Sequence, residues 1–226
     1  MPEGPAVSDF ASFDFEQMTP ADCYRLTVST VVPRPIGWVV TQSEAGVVNV
    51  APFSFFNGMG ENPVILCLGL LPHHAGGGGF KHTAANIRAT GEFVVNLVPY
   101  RLVEKMNITT ADAPADVSEM ELAKLTPVPS DKVRPPRIGE SPVGFECKLM
   151  HALDTGPDQT LVVGRVVQLH IAREYLEGNP ARPRVRTDAL DLIGRMHGSG
   201  YYARTTDLFE LSRPKSYADL KATLDP

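Results

Sequence analysis

The residues best placed to do chemistry lie between His73 and Asn86. There a run of four glycines, Gly76 to Gly79, leads through Phe80-Lys81-His82-Thr83 into a short helix that the spacing ends at Gly91. Glycines let a backbone come close to a ligand, Lys81 brings a positive charge, and Thr83 puts a hydroxyl where a helix leaves its first N–H groups unpaired. Together they suit an anion, a phosphate above all. The stretch is not a P-loop, because Phe80 and His82 flank Lys81 where GxxxxGK[ST] requires Gly and Ser or Thr. Nucleoside triphosphate hydrolysis is therefore not supported. A flexible surface loop with a threonine cap and a solvated lysine fits the same residues.

A second stretch, Asn49-Val50-Ala51-Pro52-Phe53-Ser54-Phe55-Phe56-Asn57, runs a strand into Pro52 and then mixes aromatic with small hydrogen-bonding side chains. Backbone groups freed at Pro52, with Ser54 and Asn57, could meet the polar edge of a flat heterocycle while the phenylalanines wall its faces; packing in the core is the other reading. A third stretch, Gly194 to Arg204, sets Arg195, His197, Tyr201 and Tyr202 among glycines. Arg195 could grip a phosphate or carboxylate in forked geometry, and His197 is an acid near neutral pH or a plain polar contact. His73, His74 and His82 form no metal spacing with a nearby carboxylate or cysteine, and no GxSxG, HExxH or paired-carboxylate arrangement stands out. No metal and no catalytic side chain is expected.

These stretches need elements to hold them. Thr19-Pro20-Ala21-Asp22 predicts a helix start, with a capping hydroxyl and proline at the first helical position, continuing to about Leu26. Ile36 to Thr41, a polar Gln42 to Gly46, and Val47 to Val50 read as a hairpin. Val64 to Leu71, Phe93 to Val98, Val143 to Leu153 and Thr160 to Ile171 are further strands. Helices are few and short: Thr83 to Ala89, Tyr100 to Met106 and Val117 to Leu125. Thr126 to Pro142 holds five prolines and predicts an irregular connector, and Gly178 to Pro183 a second break. The sum is mainly β, a barrel or sandwich.

The whole chain, 226 residues with 43% hydrophobic and 21% charged, reads as a globular protein able to bury a core unaided. A net charge of -5 without a strong basic stretch argues against nucleic-acid partners. Apolar runs are far shorter than the roughly 20 residues a membrane helix needs. Met1 to Gln17 lacks the basic lead and apolar block of a signal peptide, so a cytoplasmic location is expected. The division expected is an N-terminal extension over 1–18 and one domain over 19–226. Cys23, Cys67 and Cys147 are far apart and predict reduced thiols.

Taken in order, Arg34-Pro35-Ile36-Gly37-Trp38-Val39-Val40-Thr41, Asn49 to Asn57, Lys81-His82-Thr83-Ala84-Ala85-Asn86-Ile87, Gly91-Glu92-Phe93-Val94-Val95-Asn96-Leu97 and Gly194-Arg195 resemble the flavin reductase-like, FMN-binding split-barrel family, which includes flavoredoxin. The resemblance runs over residues 20 to 214, and its specificity lies in the ordered set. It implies a split β-barrel homodimer with FMN near the subunit interface. Lys81 and Thr83, with His82 between them where relatives often carry Asp, would hold the phosphate. Asn49, Ala51, Pro52, Ser54 and Phe55 would line ribityl chain and ring, and Arg34, Pro35 and Ile36 would flank the ring. Arg195 and His197 would join the pocket.

With FMN bound, the lack of an evident acid, base or nucleophile is no puzzle, because a flavin carries the hydride chemistry and the protein positions it. The resemblance implies an NAD(P)H:flavin oxidoreductase that takes hydride from NADH or NADPH and passes electrons on, with an oxygenase as one partner. The alternative is a non-enzymatic FMN electron-transfer protein of the flavoredoxin type. A small-molecule oxidase and a barrel without cofactor rank below both.

Overall fold

The structure, a computed structural model, describes residues 9–71, 82–157, 159–214, 216–217 and 220–221. In chain order its helices are α1 (Pro20–Thr30), α2 (His82–Thr90), α3 (Val103–Ile108) and α4 (Glu119–Leu122). Its strands are β1 (Arg34–Pro35), β2 (Gly37–Gln42), β3 (Val48–Phe53), β4 (Phe56–Glu61), β5 (Val64–Leu70), β6 (Glu92–Leu97), β7 (Pro127–Val128) and β8 (Arg137–Ile138). They continue with β9 (Val143–Gly156), β10 (Gln159–Ile171), β11 (Leu176–Asn179), β12 (Arg182–Val185), β13 (Ile193–Arg195) and β14 (Tyr202–Arg204). Seven of them form one antiparallel sheet in the order β3-β2-β6-β9-β10-β5-β4, and β1-β13-β14 form a second of three. The mainly β architecture expected from the sequence is the one observed.

α1 begins as its sequence predicts: the Thr19 hydroxyl accepts the Asp22 N–H at 3.2 Å, and Pro20 opens the helix. It runs four residues past the expected end. Thr27, Ser29 and Thr30 donate their hydroxyls to the carbonyls of Cys23, Arg25 and Leu26, so side chains that normally compete with helix are satisfied within it. The hairpin of β2 and β3 turns at Gly46, whose φ of +89° suits glycine, and β3 extends through Pro52 to Phe53. Proline is tolerated there because β3 is an edge strand.

β4 was not legible as a strand, because Gly58 and Gly60 interrupt its pattern and five of its six residues are exposed. The register shifts between Met59 and Glu61, around Gly60 at φ +95°. The expected helix over Val117 to Leu125 narrows to one turn, α4. The proline-rich connector also contains a short pairing, Pro127 with Ile138 and Val128 with Arg137.

Core residues lie on both faces of the central strands. Trp38, Val40, Val50 and Val94 pack with Met106, Met120 and Ile193 on one side; Val39, Phe93, Val95, Leu68, Ile87 and Val162 pack on the other. β2 and β6 are thus buried on both faces, which is why their sequences read as unbroken apolar runs. At Gly164 the fit is tight: a Cβ would stand 2.2 Å from Phe93 Cζ. The three cysteines are free, and burial pushes the Cys147 thiol far up.

Candidate functional site

β3 organises the site. The Val50 N–H donates to Glu119 Oε2 at 2.9 Å, so the main-chain groups of Val50 face away from β2. Alternation along a strand turns those of Pro52 the same way, and Pro52 has no N–H to offer. The outer edge of β3 therefore presents acceptor carbonyls, with one donor already taken by α4.

At the start of β3 the Asn49 amide donates to Thr83 Oγ1 at 2.9 Å, joining the edge strand to the first turn of α2. Both side chains are buried. Because Thr83 Oγ1 accepts this bond, its own proton is not used in it, at the first turn of a nine-residue helix. Asn49, Ala51, Pro52, His82, Thr83 and Glu119 line a cavity of about 90 Å³, closed on the far side by Thr109 to Ala113. That is room for an anion of phosphate size and not for a drug-sized ligand, whose pockets begin near 300 Å³.

Beyond the end of β3 the chain opens onto a larger cleft of about 520 Å³, walled by Arg34, Pro35, Ser54, Phe55, Phe56 and Leu161. Its lining is largely apolar, and Phe55 meets Tyr24 edge to face at 6.0 Å. Arg34, 6% exposed, donates to the Val28 and Val31 carbonyls at 2.7 and 2.8 Å, to the Met196 carbonyl at 3.0 Å and to Ser54 Oγ at 3.3 Å. Its charge ties α1, β1, the residue after β13 and the end of β3 into one wall. Cys67 also lines this cleft, and burial raises its thiol above the ordinary range.

The structure thus gathers Asn49, Ala51, Pro52, His82 and Thr83 at the small cavity and Arg34, Pro35, Ser54 and Phe55 at the cleft. Ile36 faces a neighbouring apolar cavity of about 410 Å³, which Arg34 and Pro35 also border. Lys81 and the glycine run lie outside the described residues; Leu71 of the cleft and His82 of the cavity bracket them. Arg195 lies opposite Arg34 in the pairing of β1 with β13, its guanidinium 4.7 Å from the Tyr202 ring centre and donating to the Gly198 carbonyl. It lines neither space. His197 stacks on Tyr201 at 4.9 Å.

Glu119 and the Thr109 to Ala113 wall were missed by sequence reasoning. Nothing local marks them: Glu119 meets Val50 across 69 positions of chain. A second group that spacing could not reveal is Asp131, Glu146 and His170, whose ligand-type atoms lie within 4.8 Å of one another. Fully buried Glu146 there accepts the Asp131 and Lys132 N–H groups at 2.8 and 2.6 Å, with His170 Nε2 at 2.6 Å from Oε1, and so pins the proline-rich connector to β9.

This mainly antiparallel β protein thus carries a small polar cavity along an edge strand and a large, mostly apolar cleft just beyond the end of that strand. The model of the flavin reductase like domain matches residues 28–185, and the chain belongs to that family. It is 37% identical over 196 residues to the uncharacterized protein BH2278 of Halalkalibacterium halodurans, covering 84% of this chain and 90% of the relative. Among solved structures it is similar to nitrilotriacetate monooxygenase component B from Bacillus cereus, with 33% identity, a TM-score of 0.82 and coverage of 89% of this chain and 98% of that one. The Pseudomonas fluorescens 2-nitrobenzoate 2-nitroreductase NbaA gives 32% identity, a TM-score of 0.80 and coverage of 91% and 97%. The fold is the split barrel, shared at 21% identity and a TM-score of 0.75 with a Shewanella frigidimarina protein described by that domain, over 91% of this chain and 100% of that one. No described helix is long and apolar enough to cross a membrane.

Proposed function

We propose that this chain binds FMN along β3 and is an NAD(P)H-dependent flavin oxidoreductase. The single observation that carries the reading is the placing of a phosphate-sized polar cavity along β3 next to a large apolar cleft just beyond its end, in the order of the two ends of a flavin mononucleotide. The phosphate would lie at Thr83, His82 and the first turn of α2, with Lys81 adding its charge. Asn49, Ala51 and Pro52 would follow the ribityl chain. Ser54 and Phe55, backed by Arg34 and Pro35, would hold the ring, and Ile36 and Arg195 would support that wall from behind. Bound FMN would supply hydride acceptance from NADH or NADPH, while these residues orient it and exclude water.

Two copies of the chain would pair as a homodimer. The sheet ends on β4, an exposed edge, and Met59, Val64, Met150 and Leu153 leave apolar surface that symmetric pairing would cover. An oxygenase is the partner class suggested by the likeness to a monooxygenase component B, and light scattering that finds a monomer removes the paired-site reading. The decisive experiment is a visible spectrum with added FMN, then anaerobic NADH and NADPH. Rapid repeated bleaching is expected. A yellow protein that neither nicotinamide reduces would move the reading to an FMN electron carrier, and a protein that binds no flavin ends both.

A further inference from the structure

Glu119 is out of place in an anion site. It is 4% exposed, opens α4, and lines the same cavity as Thr83 and His82. Its Oε2 is engaged by the Val50 N–H at 2.9 Å, so the carboxyl is held at the wall of the cavity that it lines. Burial pushes its carboxyl above the ordinary range, and the N–H groups of Val50 and Glu119 itself and the His82 ring only partly offset that. The other titratable groups among the described residues that line the cavity are His82 from α2 and Asp112 from the segment after α3; β3 contributes none. Lys81 lies outside the described residues.

A phosphomonoester carries close to two negative charges above pH 7. Beside an ionised Glu119 in a cavity of about 90 Å³ it meets like charge with little water between. Beside a protonated Glu119 it meets an O–H donor instead. We propose that this cavity takes a terminal phosphomonoester together with one proton, held on the Glu119 carboxyl, so that phosphate-bearing flavin binds more weakly as pH rises while the same flavin without its phosphate does not. The inference rests on the FMN reading above and adds to it a specificity residue and a sign of pH dependence. Glu119 does double service, since the oxygen that fixes Val50 cannot turn away without releasing the edge of β3.

The test is titration of the flavin-free full chain with FMN and with riboflavin between pH 7 and 9. The Kd for FMN should climb, approaching tenfold per pH unit once Glu119 ionises in the free protein, and the Kd for riboflavin should stay level. Glu119→Gln keeps a carbonyl for the Val50 N–H and has no charge; it should flatten the FMN profile and bind FMN more tightly than the parent at pH 9. Calorimetry of the unaltered chain in two buffers of different ionisation enthalpy should find about one proton taken up with FMN and none with riboflavin, whether or not the variant folds. FMN binding with a flat profile and no proton uptake overturns the inference and leaves the FMN reading standing. Binding of neither flavin at any pH overturns both.

Discussion

The cavity along β3 and the cleft beyond its end solve the burial of polar groups in opposite ways. At the cleft, Arg34 spends four of its five guanidinium donors on three carbonyls and a hydroxyl, so a buried cation faces the cleft with most of its hydrogen-bonding capacity engaged. At the small cavity, Thr83 and Glu119 each accept one bond from β3, from the Asn49 amide and the Val50 N–H, and both line the space. The first arrangement makes a rigid wall, and the second leaves polar capacity for something that arrives. A ligand whose charge sits at one end would be read by the cavity and merely seated by the cleft.

The sharpest way to break that contrast is Arg34→Ala. If the wall depends on Arg34, its loss strands the carbonyls of Val28, Val31 and Met196 and should cost about 3 kcal/mol of stability, read as a lower urea midpoint. An unchanged midpoint would show that Arg34 was available to a ligand after all. Thr83→Val comes next. It removes the hydroxyl while keeping shape, and should weaken FMN about 10- to 100-fold, the worth of a hydrogen bond to a charged group, while riboflavin affinity holds. Equal losses for the two flavins would place the phosphate elsewhere. Phe55→Ala should do the opposite on a smaller scale, weakening both flavins alike by about fivefold through loss of roughly 1 kcal/mol of aromatic contact.

The contrast also explains what could be read beforehand. Local chemistry was legible: the Thr19 cap, the apolar runs of β2 and β6, and the helix-start position of Thr83 are each written in a few adjacent residues. What the sequence hid is whatever depends on distant chain meeting distant chain. Glu119 sits in one turn of helix with no motif of its own, β4 is hidden by its glycines, and the placing of Arg195 over the Tyr202 ring follows from the pairing of β13 with β14. Arg34 lines the cleft, but that two of its donors go to the carbonyls of Val28 and Val31 follows only from where α1 ends.

Two buried glutamates turn the same contrast into a pH signature, the smallest effect and the most specific. Glu146 serves structure: burial would raise its carboxyl, but the N–H groups of Asp131 and Lys132 and the His170 ring outweigh it and hold it below the ordinary range. A carboxyl lowered on folding adds stability at neutral pH and loses it as pH falls through its folded value. Glu119 serves the cavity, and its carboxyl is raised. Whatever it adds is present below its unfolded value and lost as pH rises through the folded one. Urea midpoints of the flavin-free chain from pH 4 to 9 should therefore part the two variants. Glu146→Gln should fall furthest below the parent at neutral pH and approach it in acid, whereas Glu119→Gln should gain on the parent as pH rises. If both variants track the parent at a constant offset, the polar cavity along β3 is as fully satisfied as the wall of the cleft, and the distinction between a seat and a reader of charge fails.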